Sequence, residues 1–123
     1  MAAAKSRQEG IVVLLTGGSG FLGTAIVREI LVEASPVQVK ELRVFDLETM
    51  NHTGDARIKF IQGDVRDQEA VLEASQGAEL VIHAAAVVDW GTRSEEEVLA
   101  VNHQGTLHVI GACKSNGVKA LVY

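Results

Sequence analysis

Thr16-Gly17-Gly18-Ser19-Gly20-Phe21-Leu22-Gly23 is the stretch that decides the fold, gathering four of the chain's 12 glycines into one turn. Immediately before it, Ile11–Leu15 is an unbroken β-branched and aliphatic run, which suits a strand buried on both faces. After it, Leu22, Ile26 and Ile30 recur at four-residue spacing and Leu31 thickens the stripe, predicting a helix over about 21–34 that stops before Pro36. In a strand, glycine turn and helix of this kind, each glycine has its own task. Gly17 and Gly18 permit the tight reversal, Gly20 keeps a side chain out of the path of a pyrophosphate, and Gly23 lets the helix lie close on the sheet. The amides at the helix start then face the anion. No Gly-Lys-Ser or Gly-Lys-Thr follows the glycines, which excludes a P-loop.

Working outward, Glu41–Asp46 and Ile58–Gln62 read as the next two strands, with Lys59 interrupting the second as expected near a sheet edge. Residues 47–57, with Asn51 and Gly54, form a polar loop between them. A short helix over 67–76 has an aspartate N-cap and Gly77 at its end, and Leu80–His83 is another buried strand. A long helix over 94–116 opens with the Ser94/Glu97 capping box, closes at Gly117, and carries Val98, Val101, Gly105, Val109 and Ala112 on its inner stripe. Ala120–Tyr123 is a last apolar strand. This alternation predicts an α/β fold of Rossmann type: a doubly wound parallel sheet with right-handed crossovers and strand order 3-2-1-4-5. The glycine loop then faces the crevice between the first and fourth strands.

Composition sets the outer limits. With 123 residues, 47% of them apolar and 22% charged, the chain has the makings of one ordinary domain with its own core. Residues 1–10 read as a flexible tail without a signal peptide, and 11–123 as the domain. No apolar run approaches the roughly 20 residues of a membrane span, so a cytoplasmic location is expected for this chain. A net charge of −5 argues against nucleic acid or an anionic membrane as partner. The single cysteine, Cys113, reads as a small core hydrophobe.

Asp46 ends the second strand 23 residues beyond Gly23, where a carboxylate can accept hydrogen bonds from an adenosine ribose and repel a 2′-phosphate. Leu47 and not arginine follows it, which favours NAD over NADP. The plainer alternative is a polar strand end. Gly63-Asp64-Val65 follows the third strand, where Asp64 could accept the amino hydrogens of adenine and Val65 could pack on its ring; a helix-start turn would use the same residues. Ala84, Ala85 and Ala86 leave room for the cofactor at the sheet's switch point. His83 reads as a satisfied core histidine. His103 and His108 do not share a helix face, so no metal site is expected.

Taken together, Thr-Gly-Gly-Ser-Gly-Phe-Leu-Gly at 16–23, Leu-Arg-Val-Phe-Asp at 42–46, Gly-Asp-Val at 63–65, Val-Ile-His-Ala-Ala at 81–85 and Val-Asn-His-Gln-Gly-Thr at 101–106 resemble the extended short-chain dehydrogenase/reductase superfamily. Within it they are similar to the 3β-hydroxysteroid dehydrogenase/isomerase branch, although Trp90 stands where phenylalanine is usual before Gly91. The resemblance implies NAD as cofactor, with Gly17, Gly18, Gly20, Phe21, Leu22, Gly23, Asp46, Asp64, Val65, Ala84 and Ala85 binding it. It implies that Asn102 helps order water and the proton relay beside the active site, the alternative being a helix-kink residue next to Gly105. It further implies a small-molecule substrate, a steroid or related alcohol, and leaves a homodimer and an endoplasmic reticulum association open for the parent protein.

The family's serine or threonine and its Tyr-x-x-x-Lys follow the fifth strand, so this chain is expected to be the cofactor-binding portion alone, inactive and prone to association through Ala120–Tyr123. Tyr123 belongs to the strand and is not the catalytic tyrosine. Two other functions fit the same motifs: a nucleotide-sugar epimerase or dehydratase, and a non-catalytic NAD-binding regulatory module.

Overall fold

The computed structural model describes residues 9–48 and 54–123. In chain order the elements are β1 (Ile11–Thr16), α1 (Phe21–Leu31), β2 (Val39–Asp46), β3 (Ile58–Gln62), α2 (Gln68–Ala74), β4 (Leu80–His83), α3 (Glu95–Leu99), a π-helical turn (Ala100–Gln104), α4 (Gly105–Ser115) and β5 (Ala120–Val122). The five strands form one parallel sheet in the order β3-β2-β1-β4-β5. This is the expected Rossmann-type arrangement, with β1 central: Val13 pairs with Leu42 on one side and Leu80 on the other.

The apolar run of β1 is continuous because both sides of the sheet are covered. Val12 and Leu14 join Phe45, Val71, Val81 and Val109 on the side of α2 and α4, whereas Val13 and Leu15 join Val27, Leu42 and Val44 on the side of α1. Alternate residues of one strand thus feed two cores, each fully buried aliphatic side chain contributing about 1.5–3 kcal/mol relative to exposure.

Several boundaries differ from those expected. α1 ends at Leu31, not 34: Val32 is extended (ψ 149°), and Arg57, from the turn before β3, donates through Nη2 to the Leu31 carbonyl at 2.9 Å. Leu22 is not part of the buried stripe, because Gly23 and Val27 face inward and Leu22, one residue before Gly23, is rotated by about 100° toward solvent. β2 begins two residues early, since Val39 is drawn into register with Ile11. β5 stops at Val122. The helix expected over 94–116 has Ser94 as its N-cap, with Ser94 Oγ accepting from the Glu97 amide at 3.2 Å, and its terminal Gly117 at φ +64°. It is nevertheless divided by the π turn. Asn51 and most of the expected tail, residues 1–8, lie outside the described residues.

Candidate functional site

A cleft of about 370 Å³ opens at the carboxyl ends of β1 to β4. Its floor is the glycine loop. Gly17 has φ +74°, and its amide donates to the Phe45 carbonyl at 2.8 Å, turning the chain off β1 across the end of β2. A Cβ at Gly17 would lie 2.6 Å from the Ala85 amide nitrogen, so loop and opposite wall touch backbone to backbone. Gly20 borders the cleft, and a Cβ there would meet nothing closer than 3.5 Å, so a side chain would cause no clash in the loop. No side chain caps α1 at Gly20, which leaves the helix start to an anion.

Gly18 and Gly23 serve packing. A Cβ on Gly18 would lie 2.4 Å from Val44 Cγ1, and one on Gly23 only 2.1 Å from the Gly17 carbonyl oxygen. The turn role expected of Gly18 therefore belongs to Gly17. Gly23 keeps α1 against the loop itself. Neither glycine borders the cleft, nor do Phe21 and Leu22, whose side chains stand 98% and 61% exposed.

Asp46 borders the cleft at the end of β2. Its Oδ2 accepts from the Ser19 amide at 3.0 Å and its Oδ1 from the Glu48 amide at 3.3 Å, while Ser19 Oγ donates to the Glu48 carbonyl at 2.8 Å. The carboxylate is thus fixed to the glycine loop. Each of its oxygens keeps accepting capacity for a hydroxyl.

Asp64, after β3, is engaged by a residue the sequence reading passed over. Arg66 donates from Nη2 to Oδ2 at 2.6 Å and from its own amide to Oδ1 at 2.9 Å, and this guanidinium holds the carboxyl below the usual aspartate range. The spacing Asp-x-Arg was the available signal. The Asp64 carbonyl also accepts from the Asp67 amide at 2.9 Å, the helix-start turn given as the alternative. Val65 borders the cleft but is 5% exposed; its Cγ2 fills the space where a Cβ on Gly105 would fall, 2.7 Å away.

The opposite wall is 84–87. The Ala84 amide donates to the Thr16 carbonyl at 3.0 Å and the Ala85 amide to Thr16 Oγ1 at 3.3 Å. Asn102, in the π turn, does not border the cleft; its Oδ1 accepts from the Val87 amide at 2.7 Å and its Nδ2 donates to the Val87 carbonyl at 2.8 Å. His83 is the expected buried, satisfied histidine, between Thr16 and Thr106. Arg93 and Glu97 rim the cleft and were not anticipated.

The donor set suits a dinucleotide: a glycine-rich backbone cradle whose Ser19 hydroxyl is turned to the Glu48 carbonyl, an anchored carboxylate beyond it, and small alanines facing both. Among the described residues, no group of three or more His, Cys, Asp or Glu could hold a metal ion, and no helix is long and apolar enough to cross a membrane.

The profile of the 3-beta hydroxysteroid dehydrogenase/isomerase family matches residues 14–123. Rat 3 beta-hydroxysteroid dehydrogenase type 7 is 43% identical over 127 residues, covering 98% of this chain and 37% of its own; the human protein of the same name is 43% identical over 128 residues, covering 98% and 34%. The chain therefore spans little more than a third of the length of these relatives. Among solved structures, a dTDP-glucose 4,6-dehydratase from Streptomyces venezuelae with NAD bound superposes with a TM-score of 0.83 at 29% identity, covering 92% of this chain and 38% of that one.

Proposed function

The chain belongs to the 3-beta hydroxysteroid dehydrogenase/isomerase family, and from that premise we propose that residues 11–123 are the NAD-binding portion of an oxidoreductase acting on the 3β-hydroxyl of a steroid or related alcohol. The observation that carries this reading is Asp46, a cleft carboxylate held by the Ser19 amide at 3.0 Å. In this reading its two oxygens accept the ribose hydroxyls of the adenosine half, and its charge repels a 2′-phosphate. The amides from Gly17 to the start of α1 take the pyrophosphate, with Gly20 admitting it closely. Val65 and the Asp64–Arg66 pair border the adenine end, and Ala84 and Ala85 form the wall for the remainder. Asn102 contributes by fixing Val87, since both polar atoms of its side chain are engaged there. Bound NAD supplies the hydride acceptor. The same reading extends to a homodimer and an endoplasmic reticulum association of the whole protein, tested by sedimentation and fractionation of the full-length form.

Calorimetric titration with NAD and NADP tests the assignment. Wild type should bind NAD in preference, and Asp46→Ala should lose about 10- to 100-fold in NAD affinity, as expected for charge-assisted hydrogen bonds of about 1.5–3 kcal/mol, while discriminating less against NADP. Equal affinity of wild type for both nucleotides would remove the role given to Asp46.

A second reading, a nucleotide-sugar epimerase or dehydratase, is favoured by the likeness to the Streptomyces enzyme. Turnover by the full-length protein of a 3β-hydroxysteroid or of a nucleotide sugar distinguishes the two. A silent NAD-binding module would turn over neither.

A further inference from the structure

A line of buried and half-buried polar groups crosses from β1 to the π turn. Thr16 is 0% exposed and His83 is 8% exposed, and the imidazole lies between two hydroxyls: Nδ1 is 2.6 Å from Thr16 Oγ1 and Nε2 is 3.0 Å from Thr106 Oγ1. The remaining contacts fix the direction of every proton. Thr106 Oγ1 donates its single hydrogen to the Asn102 carbonyl at 2.7 Å, so toward His83 it can only accept. Nε2 therefore carries the ring proton and Nδ1 is bare. Thr16 then donates to Nδ1, and its oxygen accepts from the Ala85 amide at 3.3 Å. Each group in the line has a single orientation with no donor or acceptor opposed.

We propose that His83, as the neutral Nε2–H tautomer, is a positioning residue for the dinucleotide: it locks Thr16 to Thr106 and so sets the cleft wall Ala84–Val87 against the glycine loop. Both ends of the line hold that wall. At one end, Thr16 takes the Ala85 amide, the nitrogen that a Cβ on Gly17 would approach to 2.6 Å. At the other, Thr106 holds the carbonyl of Asn102, whose side chain grips Val87 through both its amide and its carbonyl. Asn102 lies within the π turn and Thr106 in the first turn of α4, so the Thr106 hydroxyl reaches back to the Asn102 carbonyl while the Asn102 side chain reaches the wall. Burial disfavours the imidazolium, which keeps the ring in the state the line needs. The effect on dinucleotide affinity rests on the NAD reading above; the mechanical link does not.

The test uses the 15N-labelled chain with Thr106→Val, which keeps the shape of threonine and removes its hydroxyl, and Thr106→Ser, which restores the hydroxyl. Amide hydrogen exchange at Ala85 and Val87 should quicken about tenfold in Thr106→Val, as expected for about 1.4 kcal/mol of lost hydrogen bonding, and return in Thr106→Ser. Exchange at Val13 in the middle of β1 should stay unchanged, and NAD affinity should fall about tenfold with the same rescue. Equal quickening at Val13, Ala85 and Val87 would reduce the effect to global stability and overturn the proposal, as would no change at Ala85 and Val87. Should Thr106→Val fail to fold, the imidazole 15N shifts of wild type decide: a proton on Nδ1 overturns the assignment. If wild type binds no NAD yet the exchange pattern is as expected, the cofactor reading falls and the link between His83 and the wall stands.

Discussion

Replacing Gly23 with alanine opposes two effects of known size. Within a helix, alanine is favoured over glycine by about 1 kcal/mol, so propensity alone makes Gly23→Ala stabilising. The new Cβ would sit 2.1 Å from the Gly17 carbonyl oxygen and 2.5 Å from Gly18 Cα, and both are backbone atoms that no rotamer change can move. Relief requires α1 to retreat from the loop by about 1 Å, and overpacking of this kind costs about 1–3 kcal/mol. With unyielding atoms on the far side the upper end applies, giving a net loss of about 2 kcal/mol. Gly111 in α4 is the control, because a Cβ there meets nothing within 4 Å and Gly111→Ala should gain about 0.5–1 kcal/mol. Urea unfolding of both variants reads the two signs directly. If Gly23→Ala stabilised the chain as much as Gly111→Ala, the close seat of α1 on the glycine loop would be refuted.

Two further perturbations follow from the charged groups. Glu41 is held below its ordinary value of 4.5 by its hydrogen bond to Lys59 and by Arg43, and Asp64 below its ordinary 3.8 by Arg66, so both stabilise the fold above those values and lose this as pH falls through the lowered ones. Burial lowers His83 from 6.5, so its contribution is present above 6.5 and declines with acidification through the lowered value. Unfolding midpoints should therefore fall in two stages on acidification, the second made shallower by Glu41→Gln; superimposable profiles would contradict the assignment to Glu41. Arg43 donates to the Ala74 carbonyl at 2.8 Å, the Gln76 carbonyl at 2.5 Å and Glu41 at 2.8 Å, clamping the end of α2 to β2. Arg43→Met should cost about 1–3 kcal/mol and Arg43→Lys should recover less than half, since an ammonium cannot span the fork; urea midpoints for Arg43→Lys equal to wild type would argue otherwise.

The order of the strands was legible because strands and helices largely alternate and β1 is apolar from Ile11 to Leu15, features that survive without knowledge of any contact. The glycine turn and Asp46 were legible for the same reason: backbone approach and strand-end placement are fixed by local sequence. What escaped was side-chain geometry across elements. Leu22 fits a four-residue period as well as Val27 does, and only the demand of Gly23 for the loop face turns it outward. The π turn inserts one residue into a pattern whose cap at Ser94 and stop at Gly117 are normal, so periodicity passes over it. Arg66, two residues beyond Asp64, could have been paired with that carboxylate by spacing. The partners of His83 could not, since Thr16 is 67 positions away and Thr106 is 23 away, joined only by the sheet and α4.

NAD, as proposed, occupies the cleft at the carboxyl ends of β1 to β4, held by the glycine loop and Asp46. Titrating NAD into the 15N-labelled chain while following backbone amide shifts tests this most directly. Saturable changes should be confined to Gly17 through Gly23, Asp46, Asp64, Val65 and Ala84 through Val87, with the far ends of α2 and α4 unmoved. Saturable changes centred on α2 or β5 with the glycine loop unmoved, or no change at millimolar NAD, would contradict it.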